Sequence, residues 1–219
     1  MIYITGDTHG DIDLKYVVQY FKDKHVTRQD YLIILGDAGI VWSEKDCYIS
    51  EYDNLGLTIL FIDGNHENFD LLNTYPVVEY HGARCHQLND NIYHILRGEI
   101  INLNGLSFFC MGGATSIDKA LRREHISWWN DENINKKDID NGLSKLEKVN
   151  NKVDYVLTHT APTSIVWDFF NYDEDHNTDI LEEFKKIINF KYWFFGHYHF
   201  NKDQDKFECI YQRVIMINC

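Results

Sequence analysis

Several stretches of the sequence place metal-ligating side chains directly after a run of apolar residues. In the first, Ile2-Tyr3-Ile4-Thr5 is followed by Asp7 and His9. A carboxylate and an imidazole at this spacing can reach one divalent cation from a single turn, provided that other strands deliver the remaining ligands. Four later apolar runs end in the same way, at these residues: Asp37, Asn65 and His66, His159, and His197 and His199. The repetition favours a metal site built from strand ends.

Each of these ends has an ordinary explanation when it is taken alone. A strand-end Asp often caps a turn, Asn-His is a common loop pair, and a single His is more often held by hydrogen bonds than by a metal ion. Histidine richness by itself does not create the pattern, because the remaining histidines do not follow it. For these six we expect structural roles: His25, His81, His86, His94, His125 and His176. The prediction therefore depends on the five ends taken together.

Strands and helices alternate in the parts of the chain that carry these residues. The apolar runs Tyr31–Leu35 and Thr58–Ile62 predict buried strands. Apolar residues recur at helical spacing from Leu14 to Phe21, with Asp11 available to cap that helix. Further helices are predicted near residues 49–52, 69–72, 139–149 and 180–188. Open α/β sheets bind their ligands at the carboxyl ends of the strands, which is where the polar residues lie.

The middle and the end of the chain have different patterns. Glu99–Leu103 and Leu106–Met111 flank Asn104-Gly105, which is the strongest short signal for a β-hairpin. The polar segment 118–129 is interpreted as helix-like, and the pattern does not indicate its function. Residues 207–217 alternate well enough to predict one or two closing strands.

Composition limits the classes of protein that the chain can represent. With 219 residues and 44% hydrophobic residues, residues 1–219 are expected to form a single domain. The formal net charge of −13 argues against binding to long nucleic acids, because an acidic surface repels the phosphate backbone. Five cysteines without a Cys-x-x-Cys pair indicate reduced thiols, and no apolar run reaches membrane-spanning length. We therefore expect a cytoplasmic protein that does not bind membranes.

The sequence resembles the calcineurin-like metallophosphoesterases, and its first and third blocks are closest to the protein-phosphatase variant. The family pattern consists of Asp-x-His, Gly-Asp, Gly-Asn-His followed by Glu or Asp, a single His, and Gly-His-x-His. All of these blocks occur here in order, from Asp7 to His199. Together with the alternation of strands and helices, the resemblance implies an α/β fold. It would be a four-layer αββα sandwich of two mixed β-sheets flanked by helices, with the metal site at the carboxyl ends of the strands.

The resemblance also implies ligands for two divalent metal ions. The first ion would be held by Asp7, His9, Asp37 and His199, and the second by Asp37, Asn65, His159 and His197. Asp37 would bridge them, because a carboxylate has two oxygens for two cations that lie roughly 3.5 to 4 Å apart in such sites. Nitrogen and oxygen ligands without thiolate suit Mn first, with Fe or Zn as alternatives.

The activity that the resemblance implies is phosphoester hydrolysis by a metal-bound hydroxide that attacks phosphorus in line. Asp37 and His66 are the predicted catalytic residues, and His66 would stabilise the transition state or protonate the leaving oxygen. Glu67 either supports His66 or caps its loop. Phosphomonoesters are the favoured substrates, and the substrate would be a phosphorylated small molecule, a nucleotide or a phosphoprotein. Phosphodiesters and dinucleoside polyphosphates are the alternative.

The sequence departs from the protein-phosphatase variant after Gly36-Asp37. That variant continues with Asp-Arg-Gly, whereas this chain continues with Ala38-Gly39-Ile40-Val41-Trp42, so an arginine expected to bind phosphate is missing. Arg122 and Arg123 are hypothetical substitutes, although a solvated surface is the favoured interpretation of both. Two functions of other classes stay open, namely a catalytically silent metal-binding scaffold and a mononuclear metal-storage or sensor protein. The oligomeric state is not predicted.

Overall fold

The computed structural model describes residues 1–43 and 45–217. In these residues thirteen strands form two mixed β-sheets. The strands are β1 (Ile2–Thr5), β2 (Tyr31–Leu35), β3 (Thr58–Ile62), β4 (Val77–Tyr80), β5 (Ala83–Asn89), β6 (Ile92–Ile95), β7 (Glu99–Leu103), β8 (Leu106–Met111), β9 (Tyr155–Thr158), β10 (Tyr192–Phe195), β11 (Lys202–Gln204), β12 (Phe207–Cys209) and β13 (Val214–Ile217). The helices are α1 (Leu14–Phe21), α2 (Ile49–Asp53), α3 (Phe69–Leu72), α4 (Lys136–Lys148), α5 (Thr163–Phe170) and α6 (His176–Ile187), with short 3₁₀ helices at Lys119–Leu121 and Asn130–Glu132.

The first sheet has the strand order β13-β1-β2-β3-β6-β5-β4. Strands β1, β2, β3 and β6 run parallel to one another, so their carboxyl ends share one edge of the sheet. Strand β13 pairs antiparallel with β1, and β5 and β4 extend the other side as antiparallel strands. The parallel strands are buried on both faces, which explains why the sequence reads as continuous apolar runs.

The second sheet has the order β11-β12-β10-β9-β8-β7. Strands β12, β10, β9 and β8 are parallel, whereas β11 and β7 pair antiparallel at the two edges. Its β9 and β10 end close to β1 and β2, because the backbone N–H of His197 donates to the carboxylate of Asp7 and the His159 ring reaches the carbonyl of Leu35.

Three apolar clusters define the layers. Ile4, Ile33 and Leu60 from the first sheet pack against Phe108 and Leu157 from the second, which forms the core between the sheets. A second cluster joins the other face of the first sheet to α1 and α2, and a third joins the other face of the second sheet to α4, α5 and α6. The arrangement is the αββα sandwich of two mixed sheets that the sequence predicted. Each helix in the described part of the chain is too short or too polar to cross a lipid bilayer.

Some of the local predictions from the sequence are confirmed, and others are wrong or incomplete. The hairpin around Asn104-Gly105 forms with the predicted strand bounds, and the last residues form β12 and β13, which belong to different sheets. Strands β4 to β6 were not predicted, because polar residues interrupt their apolar pattern. The helix-like interpretation of 118–129 is wrong, since this segment is irregular apart from Lys119–Leu121. The residue at the cap of α1 is Asp13, not Asp11, and it makes no side-chain cap hydrogen bond.

Candidate metal centre

The predicted ligands lie in loops that follow β1, β2, β3, β9 and β10. The first two loops are joined through the backbone, because the N–H groups of Thr8 and His9 both donate to the carbonyl of Asp37. The backbone is left-handed at four predicted ligands, with φ of 45° at His9, 47° at Asp37, 66° at His197 and 52° at His199. Non-glycine residues adopt this conformation rarely and at an energetic cost, and such strain concentrates at functional sites.

The first group of ligand atoms comes from Asp7, His9 and His199, whose atoms lie within 4.8 Å of one another. Asp7 is buried, and its Oδ1 accepts a hydrogen bond of 3.0 Å from the backbone N–H of His197. Its Oδ2 lies 3.1 Å from Nε2 of His199, yet it is buried without a hydrogen-bond partner among the described residues. A buried carboxylate oxygen in this condition is unfavourable unless a cation or a water compensates it.

The second group comes from Asp37, His159 and His197, again with ligand atoms within 4.8 Å of one another. Asn65 joins this group, because its Oδ1 lies 3.2 Å from Nε2 of His159. The Nδ1 of His159 lies 2.6 Å from the carbonyl oxygen of Leu35. Since that carbonyl can only accept, Nδ1 carries a proton, so Nε2 is the nitrogen that can give its lone pair to a metal ion once it is deprotonated.

Asp37 stands between the two groups. Its Oδ2 lies 3.3 Å from Nε2 of His159 and 3.6 Å from Nε2 of His9. Its Oδ1 accepts a hydrogen bond of 2.6 Å from the backbone N–H of His66. A Cβ atom on Gly64 would lie 2.1 Å from Oδ1 of Asp37 and 2.7 Å from Nε2 of His159, so the close approach of this loop requires glycine.

Side chains that the sequence did not identify orient several ligands. Asp13 Oδ2 lies 3.0 Å from Nδ1 of His9, which leaves Nε2 of that ring facing Asp37. Asn65 Nδ2 donates to Oγ of Ser116 at 3.2 Å, and Oγ of Ser116 donates to the buried carboxylate of Glu132 at 2.6 Å. Carboxylates and hydroxyls in these positions fix the tautomer or rotamer of a ligand. Nothing in the local sequence distinguishes them from ordinary surface residues.

The buried charges perturb one another strongly. Burial by itself would raise the pKa of Asp37, but His159 and His9 hold it well below the usual value. Burial opposes protonation of His159 and His9, yet the carboxylates of Asp37 and Asp7 raise the pKa of these imidazoles to about 10 and about 9. Burial and the neighbouring His159 lower the pKa of His197 to about 4. The carboxylates therefore create a negative potential that attracts positive charge to the centre.

His66 and Glu67 follow the predicted ligand Asn65 and have different surroundings. The His66 ring is partly exposed, and both of its nitrogens lie within hydrogen-bond distance of Arg122. Glu67 is fully buried, and its carboxylate accepts from the backbone N–H of Ala38 at 2.7 Å and of Gly39 at 3.2 Å. Of the two roles considered for Glu67, this geometry favours capping of the loop after β2.

Two cavities open at this centre, and His66 lines both. The larger, of about 620 Å³, is lined by Asp37, Asn65, His197 and His199 and also by Arg122. The smaller, of about 250 Å³, begins at His9 and runs along Trp42 and Tyr48. Arg123 lines neither cavity and its side chain is exposed, so of the two candidate arginines Arg122 lies at the site.

The residues present fit a pair of divalent metal ions. The donor set combines carboxylate, amide and imidazole groups, which suit Mn, Fe or Zn. The buried and unpartnered Oδ2 of Asp7 is an acceptor directed at the first group, and Oδ2 of Asp37 lies within reach of ligands from both groups. Calcineurin-like phosphoesterases generally bind two divalent ions, and the chain carries two candidate groups for them.

Solved structures with the same fold include the protein TT1561 of Thermus thermophilus. It aligns over 96% of this chain and 87% of its own, with a TM-score of 0.51 and 13% identity. A second solved structure aligns over 95% of this chain and 88% of its own, with a TM-score of 0.51 and 12% identity. The phosphopantetheinyl hydrolase of Mycobacterium tuberculosis aligns over 96% of this chain and 89% of its own at 12% identity, but its TM-score of 0.46 is too low to support an argument.

These similarities concern the fold alone, because the sequence identities are low. The chain has no match among curated proteins. A family model described as calcineurin-like phosphoesterase matches residues 1–201. The match spans most of the chain and includes every predicted ligand from Asp7 to His199. The chain therefore belongs to the calcineurin-like phosphoesterases, which hydrolyse phosphoesters with the help of divalent metal ions.

Proposed function

We propose that the chain is a phosphatase that hydrolyses phosphomonoesters at a dinuclear metal centre. The ligands are Asp7, His9, Asp37 and His199 for one ion, and Asp37, Asn65, His159 and His197 for the other. The observation that carries the proposal is the position of Asp37 Oδ2 between His9 and His159. A bridging carboxylate serves two ions that act together, whereas a mononuclear storage site has no use for one.

Mn is the proposed metal, with Fe or Zn as alternatives, since the ligands are nitrogen and oxygen donors without thiolate. Two bound divalent ions supply a lowered pKa for water and neutralise charge on the phosphate oxygens. The protein contributes the rest. Its strained loops hold the ligands in one arrangement, and the large cavity leaves room for a phosphate group beside Asn65 and His199.

His66 is the proposed catalytic side chain beyond the ligands. Its backbone N–H is tied to Asp37, and its ring lines both cavities, so the ring lies at the boundary between the phosphate and the group that leaves. From this position His66 stabilises the transition state or provides the proton that the departing oxygen needs. Contact with Arg122 favours a neutral imidazole, because a guanidinium group only donates hydrogen bonds. A neutral ring suits stabilisation of the transition state through its N–H better than protonation of the leaving oxygen.

Arg122 supports a preference for monoesters, because a monoester dianion carries more charge than a diester and gains more from a cation. The large cavity is also lined by Asp118, Asp173, Glu174 and Asp175. These acids repel a long polyanion, so the proposed substrate is a phosphorylated small molecule or a phosphoprotein, not a long nucleic acid.

A cytoplasmic location and a single domain over residues 1–219 stay predictions. The four described cysteines, Cys47, Cys85, Cys110 and Cys209, form no disulfide, and Cys219 lies outside the described residues.

The test uses protein that has been stripped with a chelator and refilled with Mn. We expect hydrolysis of p-nitrophenyl phosphate to require the metal, to exceed hydrolysis of bis-p-nitrophenyl phosphate, and to collapse in Asp37→Asn and His66→Ala. A preference for the bis-ester would replace the monoester assignment with a phosphodiesterase. Two bound ions without turnover of these esters or of dinucleoside polyphosphates would favour the silent scaffold. One tight ion without turnover would favour the storage or sensor protein.

A further inference from the structure

The smaller cavity beside the metal centre has a distinctive lining. We call it the aromatic cleft and define it by Gly10, Asp11, Ile12, Gly39, Trp42, Asp46 and Tyr48. It begins at His9 and His66, whose ring centroids are 5.8 Å apart, and has a volume of about 250 Å³. Pockets for drug-sized ligands range from about 300 to 1,000 Å³, so this cleft suits a small group.

The walls of the aromatic cleft are held by specific contacts. The indole of Trp42 meets that of Trp129 edge to face, with centroids 5.4 Å apart. Trp129 is buried, and its Nε1 donates to Asp70 at 2.7 Å. The ring of Tyr48 lies against Gly10, where a Cβ atom would approach Cε2 of Tyr48 to 2.5 Å. The rings of Trp42 and Tyr48 are therefore held in place by contacts within the fold.

The charge of the cleft is negative. Asp11 and Asp46 line it, and apart from the two histidines at its inner end no described residue of the lining carries a positive charge. Partial burial, followed by the charges of Asp11 and Asp46, raises the pKa of the Tyr48 phenol. Asp11 does not cap α1, since the residue at that position is Asp13. Two aromatic rings with two carboxylates form the kind of environment that binds organic ammonium groups through cation–π and ionic attraction.

His66 relates the cleft to the reaction. If phosphate lies over the metal ligands in the large cavity, the ester oxygen faces His66, and the group attached to that oxygen extends into the aromatic cleft. We propose that this cleft binds the ammonium group of the leaving alcohol, so that the preferred substrates are phosphomonoesters of amino alcohols. This inference rests on the proposed phosphatase activity, and it adds the class of the leaving group.

The balanced reaction is an ordinary hydrolysis. Water adds to phosphorus while the bond between phosphorus and the ester oxygen breaks. The departing oxygen takes up one proton, from His66 or from solvent, and the attacking water releases one proton. The products are inorganic phosphate and an alcohol that keeps its ammonium group, and no oxidant or reductant is needed.

The first test compares choline phosphate with 3,3-dimethylbutyl phosphate, in which carbon replaces the charged nitrogen. We expect kcat/KM to favour choline phosphate by about tenfold or more, which is within the range of a partly desolvated cation–π contact. The double variant Asp11→Asn with Asp46→Asn should reduce this preference to about threefold or less. Asp23→Asn, two residues beyond the other end of α1, is the matched control and should leave the preference unchanged. Equal rates for the two esters, or faster hydrolysis of adenosine monophosphate, would overturn the assignment.

The second test does not depend on turnover. Chelator-treated protein is titrated with tetramethylammonium, and with tert-butanol as the neutral control, while tryptophan fluorescence is recorded. We expect saturable quenching by the cation that is lost in the double variant Asp11→Asn with Asp46→Asn, which keeps Trp42 as the reporter. Saturable binding without hydrolysis of any phosphoester would refute the phosphatase and leave the cleft assignment standing. Hydrolysis without binding of the cation would refute the cleft assignment and leave the phosphatase standing.

Discussion

The guanidinium group of Arg122 lies against the imidazole ring of His66, with Nη1 3.0 Å from Nδ1 and Nη2 3.3 Å from Nε2. The Nε of Arg122 is paired with Asp118 at 2.8 Å, and Nη1 also reaches the carbonyl of Ser127. The arginine is thus positioned beside the proposed catalytic histidine, although 56 residues separate the two in the chain.

This contact predicts an unequal effect of the two neighbouring arginines. Arg122→Ala should lower kcat/KM for p-nitrophenyl phosphate by about 10- to 100-fold, as expected for loss of one or two charge-assisted hydrogen bonds. Arg123→Ala is the matched control and should change it by less than about twofold. The effect of Arg122→Ala should be smaller for the bis-ester, because that substrate carries less charge. Equal effects of the two substitutions would show that Arg122 has no special role in binding the phosphate group.

Ser116 predicts an effect on the second metal ion through Asn65. Its Oγ holds the amide of Asn65, so that Oδ1 faces His159. Ser116→Ala should weaken binding of one of two ions by about 10- to 100-fold, which is typical for groups that orient a ligand. Competition with a coloured chelator measures this affinity. Ser107→Ala in β8, whose hydroxyl bonds Asp154, is the control. Unchanged affinity for both ions in Ser116→Ala would contradict the orienting role.

Asp7 predicts different effects on stability with and without metal. Its buried Oδ2 has no hydrogen-bond partner, but its charge favours the protonated rings of His9 and His159, so Asp7→Asn should change the stability of the chain in chelator only slightly. Native protein should gain about 2.7 kcal/mol when Mn is present at about 100 times its dissociation constant, whereas the variant should gain much less. Thermal denaturation with chelator and with Mn measures both. An equal gain in the two proteins would exclude Asp7 as a ligand.

Glu99, at the start of the edge strand β7, predicts a pH dependence of the stability. It is buried, and although burial alone would raise its pKa, Lys145 and Arg84 lower it below the usual value. A depressed pKa means that the ionised group stabilises the fold above its ordinary pKa of about 4.3, and that this contribution disappears as the pH falls through the folded value.

Glu99→Gln should therefore cost about 2 kcal/mol at pH 7, below the figure for fully buried pairs because Arg84 is half exposed. The difference from the native chain should shrink below about pH 4, where Glu99 becomes protonated. Urea denaturation at pH 7, 5 and 3.5 measures it, with Glu147→Gln on the exposed side of α4 as the control. A difference that grows toward low pH would contradict the ion pairs.

The sequence alone determined the fold class, through the alternation of strands and helices and the family resemblance, and it determined the places where the predicted ligands would lie. Buried parallel strands need apolar side chains on both faces, and this need leaves continuous runs such as Tyr31–Leu35 that can be recognised locally. Polar residues that stop such runs must lie at the edge of the sheet, so the pattern of apolar runs is enough to place Asp7, Asp37 and Asn65 at strand ends. That they bind two ions stays a prediction.

The tertiary structure decided the surroundings of these residues. The segment 118–129 looked helical in composition, but it is irregular apart from Lys119–Leu121, and its Arg122 contacts Asp118, Ser127 and His66. Asp13, Ser116 and the aromatic cleft likewise depend on loops that are distant in the chain. A strand leaves its pattern in neighbouring residues, whereas a cavity between loops depends on how separate segments meet, and that is decided only when the two sheets pack together.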